Sequence, residues 1–459
     1  MDAKFNFMND LVNKNHQAFH EYKNIKWLSP YLAEIEEAKR ENLLKSFSSK
    51  VNWSFKDTKP WVNKISKGCE LCGQGEWSCL FITGRCNANC FYCPSSQNSD
   101  DTPMAQQLTF EDPNEYADFI NYFNFKGCSF SGGEPFLVYE KVLEFLVTLR
   151  KKCAPDLYIW MYTNGILGTE DKFKKLAELG INEIRFDIGA TNYKIDTIKR
   201  ASRIIENITV EIPIDPDRMD LIKELIPQLE ELGVTNLNLH QMRLTNYNAD
   251  KLLSRDYTYL HGEHPTVLES ELAALEIIQF VDTNNFKIGV NYCAFQYKNR
   301  FQKAGYRTKV LSNIKPTEEI TENGYVLNIY VSENADLKVK TFTSDSISEI
   351  IKLGSVQKTS VLEFLNNYKK YEFVIIDFYG ISISDKMDTA SHLDSVTLEN
   401  RVFSVESGRP IEPFIIGKEK LGKLAELMNG AKNHEAPEDE DLFTFWKYYF
   451  IEKGFRPYF

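Results

Sequence analysis

The sequence predicts an α/β fold built around a parallel sheet. Between residues 77 and 240, short apolar runs alternate with longer amphipathic stretches. Strands that alternate with helices at this spacing are typical of βαβ units, in which each helix returns the chain to the same end of the sheet. The chain of 459 residues is also longer than one hydrophobic core usually supports, so we expect further structural units beside this one.

Six apolar runs predict the strands of this sheet, at residues 79–83, 127–130, 158–162, 183–187, 208–212 and 236–239. Five segments between them predict helices, at residues 115–123, 138–152, 172–179, 193–205 and 219–232. The last of these places Leu221, Leu225 and Leu229 on one face. A further strand-like run at 286–290 precedes Cys293. The order of elements therefore predicts one repeating α/β domain over residues 69–310.

The flanking segments have a different character. Residues 1–68 predict a helical extension, in which Ser29 followed by Pro30 is typical of a helix start. Residues 316–459 mix strand-like and helical runs and predict a separate α+β domain. We therefore expect three domains, with bounds 1–68, 69–310 and 316–459.

The composition indicates a globular protein of the cytoplasm. Hydrophobic residues make up 43% and charged residues 26%, and no run of eighteen apolar residues could cross a membrane. The N-terminal segment lacks the apolar centre of a secretory signal. The net charge of −11 disfavours a broad nucleic-acid surface. Six of the nine cysteines fall within residues 69–93, a clustering that favours metal binding over disulfides.

Three of these cysteines form a Cx3Cx2C motif directly after the first predicted strand. Cys86, Cys90 and Cys93 share one short polar loop. An iron–sulfur cluster suits this spacing because its irons lie a few Å apart and take one thiolate each. A [4Fe–4S] cluster held by three cysteines keeps one iron open for a small molecule. Zinc is the alternative, but it normally takes four ligands and this loop has no nearby histidine.

The motif resembles the signature of the radical S-adenosylmethionine (SAM) superfamily. The resemblance implies that the three cysteines hold a [4Fe–4S] cluster and that SAM chelates the fourth iron. It also implies that Tyr92 lies beside the adenine. The six predicted repeats match the partial (β/α)6 barrel of that superfamily, in which ligands lie at the carboxyl ends of the strands.

Other predicted strand ends carry residues that fit this resemblance. Gly132, Gly133, Glu134 and Pro135 resemble the GGEP motif, whose backbone and glutamate contact the SAM amino group in the family. The next predicted strand ends with Thr163 and Asn164 in a TNG sequence, which lies along the SAM site in many members of the family. Asp187 and Glu211, on the two strands after it, are candidate acceptors for the ribose hydroxyls of SAM. His240, at the end of the sixth strand, is a candidate contact to adenine or substrate. The alternative for the two acids is structural capping, and for the histidine a satisfied structural role.

A second group of cysteines predicts an auxiliary metal site. Cys69 and Cys72 form a CxxC sequence, and Cys79 and Cys293 are candidate partners. We expect an auxiliary [4Fe–4S] cluster, with zinc or metal-free thiols as alternatives. The CxxC, the Cx3Cx2C loop and the late Tyr-Cys together resemble a group related to pyruvate formate-lyase activating enzymes. That resemblance favours Cys293 as a ligand shared with the CxxC pair.

The predicted function is therefore that of a radical SAM enzyme. It would cleave SAM reductively and abstract a hydrogen atom from a substrate, for which we favour a peptide or protein over a small metabolite. An electron donor such as a flavodoxin or ferredoxin is the expected partner. The rival interpretation is a non-catalytic iron–sulfur or zinc protein of electron transfer, which would need no SAM-contacting motifs at its strand ends.

Overall fold

The computed structural model describes residues 3–97, 101–334, 347, 349–351, 354–385, 395–399, 401–430 and 435–459. The chain forms two compact units. The larger unit comprises Asp10–Gln302, Thr397–Val402 and Gly454–Phe459. The smaller unit comprises Met1–Asn9, Lys303–Val396 and Phe403–Lys453. The three domains expected from the sequence, 1–68, 69–310 and 316–459, remain a prediction.

The larger unit contains the strands β1 (Val51–Ser54), β2 (Lys59–Val62), β3 (Trp77–Thr83), β4 (Met104–Ala105), β5 (Leu108–Thr109), β6 (Gly127–Gly132), β7 (Tyr158–Thr163), β8 (Glu183–Phe186), β9 (Asn207–Pro213), β10 (Asn236–His240), β11 (Tyr259–Leu260), β12 (Thr266–Val267) and β13 (Gly289–Cys293). The helices up to residue 297 are α1 (Ala3–Ala18), α2 (Pro30–Lys45), α3 (Lys67–Gly73), α4 (Pro113–Tyr122), α5 (Tyr139–Lys152), α6 (Glu170–Glu178), α7 (Asp196–Ala201), α8 (Met219–Glu231), α9 (Ala249–Leu252), α10 (Leu268–Thr283) and α11 (Phe295–Tyr297).

Eleven of these strands form one mixed sheet, in the order β1-β2-β13-β10-β9-β8-β7-β6-β3-β4-β5. The seven strands from β13 to β3 in this order pair in parallel. An antiparallel ribbon lies at each edge, β1–β2 beside β13 and β4–β5 beside β3. The α/β class expected from the alternating pattern is confirmed.

The parallel strands bury one face in common. Leu80, Phe130, Ile184, Val210 and Leu239 share that face and are all fully buried, as expected where helices cover the sheet. The connecting helices carry their own start signals: the Asp112 side chain caps α4 and the Thr169 side chain caps α6. The carboxyl ends of these strands therefore lie along one edge of the sheet.

The structure differs from the sequence-based elements where the backbone turns left-handed. The predicted helix 193–205 shortens to α7 because Asn192 and Tyr193 both have positive φ. The predicted strand 286–290 begins later, as β13, because Asn285 has φ 57° and the Glu230 carboxylate accepts hydrogen bonds from the Lys287 and Ile288 N–H groups. Local propensity does not show such tertiary contacts.

The segment before the sheet is more than a helical extension. Helix α2 begins as expected, with the Ser29 side chain accepting from the Leu32 N–H and Pro30 as the first residue. The hairpin β1–β2, however, pairs with β13 through β2 and so joins the main sheet. Its turn contains consecutive residues in the left-handed region, at Phe55, Lys56 and Asp57. The expectation of a helical extension over 1–68 did not include this hairpin, which forms because β13 provides an edge on which β2 can pair.

The smaller unit is an antiparallel α+β arrangement. Its further elements are α12 (Lys303–Ile314), β14 (Val326–Ser332), β15 (Gln357–Thr359), α13 (Val361–Asn367), β16 (Phe373–Ser384), β17 (Ser395–Thr397), β18 (Val402–Gly408), β19 (Phe414–Gly417), α14 (Lys418–Met428) and α15 (Glu440–Tyr449). Strand β16 pairs with β14, β18 and β19. Val374, Ile376 and Phe378 of β16 pack with Phe445 and Trp446 in the core of this unit. In the described residues, no helix is long and apolar enough to cross a membrane.

Candidate active site

The loop after β3 presents the three cysteines of the Cx3Cx2C motif. Cys86, Cys90 and Cys93 are all half-buried. The Cys86 sulfur accepts from the Ala88 N–H at 3.4 Å and from Asn164 Nδ2 at 3.8 Å. The Cys93 N–H donates to the Cys90 carbonyl at 3.3 Å, which closes the loop. Donors aimed at a sulfur stabilise it as a thiolate, the form that binds metal.

All three cysteines line one cavity of about 350 Å³. Eight of the ten residues predicted to contact SAM line the same cavity, and the exceptions are Glu134 and Pro135. These residues come from the loop after β3 and from the carboxyl ends of β6, β7, β8, β9 and β10. The fold thus brings together the strand ends that the sequence indicated, since parallel strands end at one edge.

The two glycines of the GGEP sequence allow a close approach between backbones. Gly132 has φ 111°, a conformation that disfavours any side chain. A Cβ on Gly133 would overlap the Arg85 carbonyl. Two hydrogen bonds join these segments, from the Gly133 N–H to the Thr83 carbonyl at 2.7 Å and from the Glu134 N–H to the Arg85 carbonyl at 2.8 Å. The glycines therefore hold the cysteine loop against the end of β6.

Glu134 lies below the cavity surface rather than on it. Its side chain is 0% exposed and accepts from the Phe136 N–H at 3.0 Å, the Thr163 hydroxyl at 2.7 Å and the Asn164 N–H at 2.7 Å. Burial raises the pKa of Glu134, while these hydrogen bonds oppose the shift. Pro135 is also buried and begins a short 3₁₀ helix, Pro135–Val138. In this structure the glutamate links the GGEP turn to the TNG turn.

Tyr92 and Asp187 form a pair at one side of the cavity. The Tyr92 hydroxyl donates to the two Asp187 oxygens, at 2.8 and 3.0 Å, and the Gly189 N–H donates to the same carboxylate at 3.1 Å. Burial raises the pKa of Asp187 to about 6. The ring of Tyr92 packs in a cluster with Met242 and Tyr259, so its hydroxyl is held in place.

A charged network forms another part of the cavity lining, around Glu211. One Glu211 oxygen contacts His240 Nε2 at 2.6 Å, and the other accepts from Arg185 at 2.7 Å and Asn238 at 3.0 Å. Lys298 Nζ lies 2.8 Å from His240 Nδ1. Burial would raise the pKa of Glu211, but Arg185 and His240 outweigh it, so the carboxylate is ionised. Burial and Lys298 lower the pKa of His240 to about 4.

Arg185 and Asn238 were missed as site residues in the sequence. Each sits within a predicted apolar strand, and a polar side chain at such a position was the available signal. Arg185 is buried and also pairs with Glu183 at 2.9 Å. The periodicity that predicted the strands treated both residues as interruptions of the core, although they belong to the cavity network.

The second group of cysteines also comes together in part. Cys69 and Cys72 lie one turn apart on α3, where the Ser66 side chain caps the helix, and Cys293 ends β13. The electrostatic partners of the Cys72 thiol include Cys293 and Cys69, which shows that the three lie close to one another. Cys79 lies on β3 and hydrogen-bonds Ser129 and Ser131 of β6.

The partners of Cys79 differ from those of the α3 pair, because the Cys69 and Cys72 sulfurs accept from Asn238 and Gln302. The role of Cys79 as a metal ligand stays a prediction. Within the described ranges, no three His, Cys, Asp or Glu side chains are arranged to hold a single metal ion. A cluster makes a different demand, because each of its irons takes its own cysteine and the thiols need not meet at one point.

The sequence pattern of the Radical SAM superfamily matches residues 80–206. The chain contains a radical SAM domain. This stretch runs from the strand before the cysteine loop to the helix after β8, and it includes the GGEP and TNG turns. The match agrees with the cysteine motif, and a chain with this domain is an enzyme.

The chain is also similar to known proteins. A protein of Methanocaldococcus jannaschii named "Putative glycyl-radical enzyme activating enzyme" is 27% identical over 288 residues, covering 60% of this chain and 76% of the relative. A GTP 3′,8-cyclase of Desulforamulus reducens is 28% identical over 125 residues, covering 27% of this chain and 37% of the cyclase. The structure of Streptococcus suis SuiB bound to S-adenosylmethionine is 14% identical, with a TM-score of 0.35 and coverage of 53% of this chain and 52% of that one.

Proposed function

We propose that this radical SAM enzyme cleaves SAM in the cavity at the strand ends and abstracts a hydrogen atom from a peptide or protein substrate. The observation that supports this proposal is the cavity itself. The three thiols of one loop share its lining with the ends of five parallel strands. A cluster held by three cysteines keeps one iron available, and that iron would face the polar groups that could hold SAM.

The donor set fits this cofactor. Cys86, Cys90 and Cys93 would hold the [4Fe–4S] cluster, and the polar side chains opposite them would hold SAM. A bound and reduced cluster would supply the single electron for breaking a carbon–sulfur bond of SAM, which would give methionine and a 5′-deoxyadenosyl radical able to take a hydrogen atom from the substrate. The products of that step are 5′-deoxyadenosine and a substrate radical.

The residues of this chain then serve to bind and orient. Asn164 donates to Cys86 and, at 2.7 Å, to Asn87, so it fixes the loop that holds the cluster. Asp187 and Glu211 already accept hydrogen bonds from protein groups, but a carboxylate has about four lone-pair sites and can accept more. They are the proposed acceptors for the ribose hydroxyls. His240, uncharged at neutral pH, would lie against the adenine or the substrate.

The parallel strands support a further structural proposal, that the sheet curves as the partial (β/α)6 barrel of this superfamily. The parallel strands β3, β6, β7, β8, β9 and β10 follow one another in chain order, and the cysteine loop follows the first of them. Such an order is typical of parallel barrels, whose ligands lie at the carboxyl ends of the strands.

The substrate class rests on the relatives. The name of the M. jannaschii relative describes an activating enzyme for glycyl-radical enzymes, which favours a protein substrate. The similarity to a GTP 3′,8-cyclase favours a small metabolite as the second candidate. A flavodoxin or ferredoxin would supply the electron, and the cytoplasm is the proposed location.

The proposal is tested by cluster content and SAM cleavage. We expect the anaerobically reconstituted protein, reduced with dithionite, to form 5′-deoxyadenosine, and the Cys90→Ala variant to form none. Cys153→Ala is the matched control, because Cys153 is a buried cysteine at the end of α5 and its thiol donates to the Ala117 carbonyl of α4, outside the cysteine loop. Product formation by Cys90→Ala, or none by the parent, would refute the assignment.

The substrate class is tested by isotope transfer. The enzyme, SAM and dithionite are incubated with the macromolecular fraction or the small-molecule fraction of a fully deuterated cell extract. Because the radical takes its hydrogen atom from the substrate, 5′-deoxyadenosine should gain deuterium with the macromolecular fraction. Deuterium gained only from the small-molecule fraction would replace the protein substrate with a metabolite.

A further inference from the structure

A lysine lies buried among the second group of cysteines. Lys59, the first residue of β2, is 1% exposed. Lysine is almost never fully buried unless its charge is matched by a partner. No carboxylate in the described parts of the chain forms an ion pair with it. The Lys59 ammonium lies instead 4.5 Å from the centre of the Tyr297 ring.

The three cysteines of this group are the main electrostatic partners of Lys59. Burial lowers the pKa of Lys59, but interactions with Cys293, Cys69 and Cys72, in that order, and then with Glu211, outweigh burial and raise it. The hairpin places the lysine there: β2 pairs with β13, the strand that ends at Cys293, and Phe55 of the hairpin turn packs on Tyr297 at 5.3 Å. The position of the lysine is thus fixed by backbone pairing and not by a flexible loop.

The sulfurs in this group are surrounded by hydrogen-bond donors. Gln302 Nε2 lies 2.8 Å from the Cys72 sulfur, and Asn238 Nδ2 lies 3.2 Å from the Cys69 sulfur. The guanidinium of Arg185 approaches the same Cys69 sulfur at 3.8 Å. Gln302 ends a π-helical turn, Lys298–Gln302, and such turns are frequent at functional sites. Donors of this kind stabilise thiolates, which only accept hydrogen bonds, more than they stabilise thiols.

The fixed charges around the group leave an excess positive charge. Lys59 and Arg185 are the cations that interact with these sulfurs, and Glu211, which pairs with Arg185, is the neighbouring anion. Two positive charges against one negative charge leave one positive charge. Three thiolates on a [4Fe–4S]²⁺ core carry a total charge of −1, because three negative ligands meet two positive charges. The site therefore matches that centre in charge as well as in donor type.

We propose that Cys69, Cys72 and Cys293 hold a second iron–sulfur cluster and that Lys59 is its charge partner. The lysine stabilises the cluster more when the cluster gains an electron, because the attraction grows with negative charge. It therefore raises the reduction potential, which is set by net charge and hydrogen bonds around a cluster. This role does not depend on SAM cleavage at the first cluster.

The test separates the two clusters. In a full-length chain that carries Cys86→Ala, Cys90→Ala and Cys93→Ala, any iron belongs to the second group. We expect about four irons per chain with matching sulfide in this background. Adding Cys69→Ala should remove that iron. Since the background cannot bind the first cluster, the result is independent of whether SAM cleavage is the correct function.

The role of Lys59 is read from the reduction potential in the same background. Lys59→Met, of similar length but uncharged, should shift the potential to more negative values in an EPR-monitored redox titration. Lys59→Arg should restore much of the shift. Lys50→Met is the matched control, because Lys50 is an exposed lysine just before the hairpin, bonded to Asn285. Gln302→Leu, which keeps the lysine, should also shift the potential to more negative values.

Three results would overturn the proposal. If the background variant folds but contains no iron, the chain has no second cluster. If it contains stoichiometric zinc in place of iron, the three cysteines form a zinc site. An unchanged potential in Lys59→Met would remove the charge-partner role. If Lys59→Met does not fold, Lys59→Arg and Gln302→Leu decide, since the first should keep the potential near that of the background and the second should lower it.

Discussion

Glu134 offers a sharp test of how the GGEP turn works. The resemblance to the family implies that this glutamate contacts the SAM amino group, whereas the structure shows its carboxylate fully buried with three donors. Glu134→Gln preserves shape but replaces one acceptor oxygen by an NH₂ group. That group would face either the Thr163 hydroxyl or the Asn164 N–H, so a buried donor loses its acceptor.

The size of the effect follows from those contacts. A hydrogen bond to a charged group contributes about 1.5–3 kcal/mol, and an unsatisfied buried donor costs about 1–3 kcal/mol. The lost hydrogen bond and the unsatisfied donor describe partly the same contact, so their energies do not simply add. We therefore expect the free energy of unfolding to fall by about 2–4 kcal/mol. The loss should extend to the cluster, because the Asn164 backbone is held by Glu134 and the Asn164 side chain contacts Cys86.

The assay combines urea unfolding, iron content and steady-state kinetics. We expect reduced stability and iron content in Glu134→Gln, with the KM for SAM unchanged in the fraction that retains its cluster. Glu140→Gln is the control, since Glu140 is exposed on the neighbouring helix α5. Unchanged stability with a strongly raised KM for SAM would refute the buried structural role and support direct contact.

Three further predictions concern other contacts. Gly133→Ala should lower iron incorporation more than twofold, because its Cβ would overlap the Arg85 carbonyl beside the cysteine loop; normal iron content would contradict this. Tyr92→Phe should raise the KM for SAM several-fold with normal iron content, because Asp187 loses its hydroxyl donor; an unchanged KM would contradict that role. Arg40→Met should lower the free energy of unfolding by about 3–5 kcal/mol, because it leaves the buried carboxylate of Glu271 without its cationic partner; a loss below about 1 kcal/mol would contradict the pairing.

Much of the parallel sheet could be predicted because its signal is local. Each predicted strand between 79 and 239 lies within an observed one, apart from Asp187 at the end of the fourth. The apolar runs, caps and turn residues that define these strands are all adjacent in the sequence. The cavity followed from the same information, since parallel strands end together and the motifs were placed directly after them.

The contacts that could not be predicted join residues far apart in sequence. The hairpin β1–β2 has short strands of mixed polarity, and it forms because β13 presents an edge more than two hundred residues later. Arg185 and Asn238 are polar residues in buried strands, and only the fold shows that they face Glu211 instead of disrupting the core. Periodicity reports which residues are buried and not which ones they meet.

Arg185 connects the two groups of cysteines in the structure. Its guanidinium contacts the Cys69 sulfur and the Glu211 carboxylate, and its side chain also lines the cavity that contains Cys86, Cys90 and Cys93. A change of charge at one group of cysteines would therefore change the electrostatic potential at the other group through the Arg185–Glu211 ion pair. Such interactions are strong where water is excluded. If both groups hold clusters, the Arg185–Glu211 pair is the polar link between the chemistry in the cavity and the site around Lys59. This network would then affect the reduction potentials of both clusters as well as the stability of the fold.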